Sequence, residues 1–531
     1  MRFSAIKKLT PHLLGLMALA AIACAISAKH LNEPPAYIHA WAQADNYSLA
    51  LGFLHNGGDL FHPQTLIYNK QQMDHDMPLT VVTACDPPLH HYCASLLMRL
   101  FGSSAPWVFR GWTLAVTIMG LWMLYAMVWL LTRSKLKALL IAAVCATAPS
   151  FAYYSASFIP TAPALACAMA GLACYVMHLR HDNTRWLYAA VVMLTVAMLQ
   201  RTSLAVLWVA VGCFHFLRLL RHETTWRRSW LPFTLGALLF AAYSVWNMHL
   251  RSEYGSLFLA SLLPVKSAEQ ASNVLQNVHD RWAFHYFQRL QHWLVVALVV
   301  AVVICRIARK KRSMSVGGLS PWWLMAIWLF GELLFAVAML QQYKDHDYYF
   351  LDSFFLPLVF MMALLTAELP DFKGRVAGIA GTAAVTVLLV AMTWQAIRMQ
   401  DERRKEGLEA LQTAVAYKSA NRMFEAAGVA DDVRLLALFA YPQNTPFCMM
   451  DREGYVVMWN DSTVVNHALT FPFDAIIIED NVFRNKFDEA PVLSRLHRIA
   501  GNDTLSLCRL ADSVENITPD DFFRNGENIT Y

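Results

Sequence analysis

The sequence predicts an α-helical polytopic membrane protein of about eleven spans, its N-terminus inside and its C-terminus outside, with a small exported α/β C-terminal domain. Three observations predict it. The 531 residues are 57% apolar and only 15% charged, against about 25% charged in an ordinary soluble domain. Apolar runs long enough to span recur from Leu13 to Ile397. After about Asp401 the pattern changes to short mixed helix and strand signals,.

Arg2, Lys7 and Lys8 precede the first run, Leu13–Ala28. With Ile26 in the place where a cleavage site needs a small residue, it reads as an uncleaved span. The next runs are Trp107–Leu131, Leu136–Tyr154, Ile159–Leu179, Trp186–Leu199 and Ser203–Leu220. Leu231–Leu250, His292–Ile307, Trp322–Leu340, Phe350–Leu365 and Ala377–Ile397 follow. The Trp186 and Ser203 runs are short and meet at Gln200, Arg201 and Thr202.

Alternate connections carry the positive charge: Arg133, Lys135 and Lys137; His178, Arg180 and Arg185; Arg218, Arg221, Arg227 and Arg228; and Arg306 through Arg312. These loops belong in the cytoplasm, so 29–105, 155–160, the Arg201 turn, 251–290 and 341–349 face outward. Arg398, Arg403, Arg404 and Lys405 lie on the wrong side for this rule, which a long exported domain tolerates. The net charge of +5 sits in these short clusters, which sets nucleic acid aside as a partner.

The chain therefore divides at about residue 400: a transmembrane domain, 1–400, with its first external loop at 29–105, and an exported soluble domain, 401–531. In the latter, Gly407–Ala427 has helical periodicity, and Val433–Phe439, Ala475–Glu479 and Asn502–Arg509 read as strands,. Tyr441–Asp451 is turn-rich and reads as a connector or a binding loop. Cys448 and Cys508 either pair there or remain two thiols,.

Chemistry gathers on the outward segments. Trp41, Gln43 and Asp45 lead into YSLALGFL, an amphipathic run suited to the membrane interface,. A carboxylate there can act as a general base on an acceptor; the bland alternative is helix capping. Its company is Asp86-Pro87-Pro88-Leu89-His90-His91; Arg110; Tyr153-Tyr154 and Ser155; and Lys344-Asp345-His346-Asp347-Tyr348-Tyr349. Ionisable groups at such depth usually serve a substrate or one another. His39, His55, His62, His75, His90 and His91 make the first loop histidine-rich, but their spacing matches no helical ligand pair of a metalloprotease pattern,. No cofactor is firmly implied, and a divalent cation stays open.

Taken together, Asp45, the Asp86-Pro87-Pro88-Leu89 segment, Phe101-Gly102-Ser103-Ser104 followed by Arg110, the Tyr154-to-Pro160 turn and His346-Asp347-Tyr348-Tyr349 resemble the GT-C fold glycosyltransferases. Those similar in kind are the protein O-mannosyltransferases and the lipid A aminoarabinose transferases, over about residues 9–400. The resemblance implies an inverting transfer of a sugar from a polyprenyl phosphate or diphosphate to a lipid, glycan or protein acceptor at the outer face. That face is periplasmic if the membrane is a bacterial inner membrane. Asp45 matches the catalytic aspartate. Arg110, Arg201, Lys344 and His346 are candidates to meet the donor phosphate, and Trp41, Gln43, Asp86, His90, Tyr154, Asp347 and Tyr348 to contact substrate. Two departures stand out: Asp86 occupies the place of a cation before Pro-Pro, and Thr161 that of a second acid. The alternative is a transporter or flippase of lipid-linked saccharides, which places its polar residues near the bilayer midplane.

Overall fold

The computed structural model describes residues 2–69, 78–309, 318–371, 374–458, 461–482, 491–511, 522–523 and 527–528. His75 and Lys310 to Arg312 lie outside them. It divides into two compact units. One comprises Met1–Leu31, Arg110–Ser244 and Ala260–Glu402; the other Asn32–Phe109, Val245–Leu259 and Arg403–Tyr531.

The first unit is helical. Among the described residues of the whole chain, nine helices are long and apolar enough to cross a membrane. Two of the predicted runs fall short, for local reasons. Trp186–Leu199 forms the helix Thr184–Gln200, whose 17 residues reach about 26 Å at 1.5 Å per residue. Leu136–Tyr154 breaks into Lys135–Thr147 and Pro149–Tyr154. Ala148, at ψ 124°, leaves the helical region because Pro149 crowds the residue before it.

A second irregularity lies at the start of the Phe350–Leu365 run. Leu351–Phe355 winds as a π-helical turn before the helix Leu356–Glu368. Pro357 has no N–H to give the Ser353 carbonyl and its ring crowds that oxygen, which widens the turn before it. Asp352 and Ser353 are buried in this turn.

The second unit is built on a six-stranded sheet, from β1 (Leu435–Leu438), β2 (Gly454–Val457), β3 (Ala475–Glu479), β4 (Leu496–Gly501), β5 (Leu505–Leu510) and β6 (Glu527–Asn528), in the order β2-β1-β3-β5-β4-β6. β1 runs parallel to β2 and β3, while β5 is antiparallel to β3 and β4. The expected strands at Val433–Phe439, Ala475–Glu479 and Asn502–Arg509 correspond to β1, β3 and β5; Gly407–Ala427 forms Leu408–Lys418 and Ala420–Ala426. Leu436, Leu438, Val457, Ile476 and Ile478 fill the core under the sheet.

The segment 32–109 folds onto this tail, and 245–259 onto 32–109. The Leu66 carbonyl accepts from Gly454 N at 3.0 Å, and Tyr68 N donates to the Gly454 carbonyl at 2.9 Å. Ser256 Oγ donates to the Ala84 carbonyl at 2.6 Å. Arg404, one of the basic residues on the unexpected side, donates from Nε to Glu33 Oε2 at 2.7 Å, and Arg403 is fully buried. Arg404 thereby ties the start of the tail to the segment that begins at Asn32. Cys448 and Cys508 are buried free thiols.

Candidate active site

Asp45 sits in the first turns of the helix Ala40–His55. This helix is not laid out with one exposed face, as an interfacial run would be: Gln43 through Phe53 are all buried. Leu89–Phe101 and Thr445–Met450 pack against it. On a third side it meets backbone, for a Cβ on Gly52 would lie 2.0 Å from the Gln64 carbonyl oxygen. Its start is set by Tyr37 and His39, both with left-handed φ, and by Gln43. The Gln43 Nε2 donates to the Ala36 and Ile38 carbonyls at 3.0 and 2.9 Å.

Only 3% of Asp45 is exposed. Asn444 Nδ2 donates to its Oδ1 at 2.7 Å, and the Trp41 and Gln443 side chains also hydrogen-bond to it. Burial pushes the carboxyl up to about 7, against the pull of the Asn444, Trp41 and Gln443 bonds. Burial disfavours the charged form while donors favour it, so the acid ends poised near neutrality.

Around it, His91 Nε2 lies 2.8 Å from Asn46 Oδ1, and burial lowers the His91 imidazole to about 3. His90 is buried edge-on to Phe109, ring centroids 5.3 Å apart, and burial depresses it strongly, with His91 adding to the effect. Burial thus favours the neutral form of both rings,. Trp41 stands edge-on to Tyr441, 5.9 Å between centroids. Asp86 faces the charge of Arg251.

The remaining candidates lie in the helical unit. Arg201 Nε donates to Asp352 Oδ2 at 2.8 Å and its Nη2 contacts the same oxygen. Its guanidinium also lies 5.5 Å from the Tyr348 ring centroid. Asp352 is fully buried, and the arginine side chain is 20% exposed. Asp347 is buried beside them in sequence, accepting from Tyr154 OH at 2.5 Å and from Ser150 Oγ at 2.7 Å. The Tyr154 and Tyr348 rings meet edge to face, and His346 lies 5.2 Å from the Tyr348 ring. Lys344 is exposed, with its carbonyl accepting from Trp282 Nε1 at 2.9 Å. Arg110 is buried with Nη1 on the Ala156 carbonyl at 2.7 Å and its guanidinium 4.3 Å from the Phe158 centroid. Among the described residues, no three His, Cys, Asp or Glu side chains gather as a metal site.

Sequence reasoning passed over Asn444 and Asp352, and over a further buried acid, Glu332. Asn444 lies in a turn-rich stretch that reads as a connector or a binding loop,. Asp352 and Glu332 lie inside apolar runs, and an acid there is itself a signal. Glu332 is fully buried, accepting from Trp328 Nε1 at 2.8 Å.

The comparisons with known proteins agree on the architecture. Residues 85–249 match the family described as dolichyl-phosphate-mannose-protein mannosyltransferase. No curated protein matches the sequence. ArnT from Cupriavidus metallidurans in the apo state is similar with a TM-score of 0.59 at 11% identity, over 95% of this chain and 98% of that one. The same protein bound to undecaprenyl phosphate gives 0.57 at 11% identity, over 97% and 100%. The arabinofuranosyltransferase AftD from Mycobacteria gives 0.53 at 12% identity, over 96% of this chain and 40% of that one. The chain accordingly has the GT-C fold, the architecture of membrane glycosyltransferases.

Proposed function

We propose that this protein is an inverting glycosyltransferase that moves a sugar from a polyprenyl phosphate, or diphosphate, to a lipid, glycan or protein acceptor at the outer face of a membrane. In a bacterium that is the periplasmic face of the inner membrane, the orientation that the basic loops favour. The observation that carries the reading is Asp45, a buried carboxyl brought to about 7 and held by an amide. A base works best with its pKa near the operating pH.

In the reaction, the acceptor's hydroxyl or amine attacks the anomeric carbon as the bond from that carbon to the lipid phosphate oxygen breaks. The acceptor's proton passes to Asp45, and the lipid phosphate leaves as an anion. Arg201 is the preferred cation for that phosphate, because its fork of donors suits phosphate oxygens and Asp352 fixes its side chain. His346 and Lys344 are the further candidates. Trp41, Asp86, His90, Tyr154, Asp347 and Tyr348 are proposed to shape the substrate sites. Gln43 acts on the backbone that leads into Asp45, and Arg110 on the Ala156 turn.

The test is transfer by purified protein in detergent, with radiolabelled polyprenyl-phosphate sugars and a membrane extract as acceptor. Label should enter a new product with wild type and not with Asp45→Asn. Equal lipid binding by both proteins and transfer by neither, with labelled lipid crossing the bilayer of reconstituted vesicles, overturns the reading in favour of a flippase.

A further inference from the structure

We propose that Asn444 is a positioning residue for Asp45, setting the orientation of its carboxylate from the loop that leaves the carboxyl end of β1. The inference rests on Asp45 being the base and adds the group that prepares it.

The first observation is what Asn444 gives up. It stands at the N-cap of Thr445–Met450, where an asparagine ordinarily turns back to accept from its own helix. Here the side chain makes no such bond. Its Oδ1 accepts from Ser48 Oγ at 3.0 Å instead, and its Nδ2 donates to Asp45 Oδ1 at 2.7 Å.

The second is that the amide cannot turn over. Leu66 N donates to Ser48 Oγ at 2.8 Å, which leaves the hydroxyl proton for Asn444 Oδ1 at 3.0 Å. A flipped amide would set an acceptor against the carboxylate and would take away the oxygen that the Ser48 hydroxyl proton now reaches,. Ser48 and Asn444 are fully buried, so water does not substitute for either. Cys448, on the helix that Asn444 begins, adds a contact from Sγ to the Ala44 carbonyl at 3.6 Å.

The third is topological. In the order β2-β1-β3, β1 is the central parallel strand, and loops leaving the carboxyl ends of such strands are where α/β sheets present groups to a ligand. In this protein that loop presents an amide to a carboxyl.

The test is infrared titration of the purified full-length protein, with the carboxyl band of Asp45 identified by its loss in Asp45→Asn. A donor to the ionised form favours it, so Asn444→Ala should raise the Asp45 midpoint by about one pH unit. Ser48→Ala, which frees the amide to turn, should shift it the same way by less. In the transfer assay Asn444→Ala should lose roughly tenfold at neutral pH and regain activity as pH rises. An unmoved Asp45 band in Asn444→Ala overturns the inference. If Asn444→Ala does not fold, an unmoved band in Ser48→Ala does the same. Wild-type transfer by Asp45→Asn overturns the reading of Asp45 as base, a separate outcome.

Discussion

His55, the last residue of the Asp45 helix, lies with Nε2 3.1 Å from Oδ1 of Asp451, the residue that ends the Thr445–Met450 helix. Its Nδ1 is 3.5 Å from Glu453 Oε1, and Glu453 Oε2 accepts from Tyr68 at 2.6 Å. The Asp45 helix is thus fixed at one end by an amide on a carboxyl and at the other by an imidazolium between two carboxylates.

The Asp451 and Glu453 carboxylates raise His55 from 6.5 to about 9. Its contribution to stability is therefore full below the ordinary value and is lost as pH rises through about 9. His55→Ala should destabilise the protein by about 1 kcal/mol near pH 7, a discounted figure because Asp451 is half-exposed. The gap in thermal midpoint between variant and wild type should close by about pH 10.

Asp45 titrates with the opposite consequence for activity. A base must be ionised, so transfer should climb with pH through about 7, and Asp45→Asn should lose about 10²–10⁴ of the rate. Stability runs the other way: with the folded value raised from 3.8 to about 7, the contribution of the protonated acid is full below 3.8 and is lost as pH rises through about 7. Asp45→Asn should then melt above wild type in the alkaline range. A flat kcat/KM profile, or a variant that melts lower at alkaline pH, contradicts the assignment.

Asp352 is fully buried against Arg201. Asp352→Leu strands a cation and should destabilise by about 3–5 kcal/mol, while the double substitution with Arg201→Met should recover much of the loss. Arg201→Lys keeps the charge and loses the fork, so with Arg201 on the donor phosphate it should raise KM for the lipid about tenfold. Thermal unfolding in detergent and initial rates against lipid concentration separate the two effects.

Gly52→Ala must push the Asp45 helix off Gln64, whose carbonyl oxygen would lie 2.0 Å from the new carbon. A loss of about 1–3 kcal/mol is expected from such overpacking, with transfer falling as Asp45 shifts. Gly111→Ala, with nothing within 4 Å of the added carbon, is the matched control and should leave both unchanged.

What the sequence made legible follows from the range of each interaction. Apolar runs are local, and so were the helices; the two that fell short were shortened by a proline at 149 and by the meeting at Gln200. The periodicities behind β1, β3 and β5 are local too, whereas β2 and β4 become recognisable only through their partners. Asp45 stood out because polar neighbours flank it. Asn444 did not, since its side chain acts on a residue about 400 positions away, and no pattern inside Tyr441–Asp451 encodes that. Asp352 was hidden by the run around it, and only its pairing with Arg201 reveals its place.

The unit that holds Asp45 draws on segments far apart in the chain, Asn32–Phe109 and Arg403–Tyr531 among them. Translation runs from the N-terminus at about 5–20 residues per second, so for tens of seconds Asp45 exists without Gln443, Asn444 or the strands that carry them. During that interval its carboxyl lacks the Asn444 and Gln443 donors that it has in the folded protein. The poised state arises only once β1 and the loop beyond it have emerged and folded.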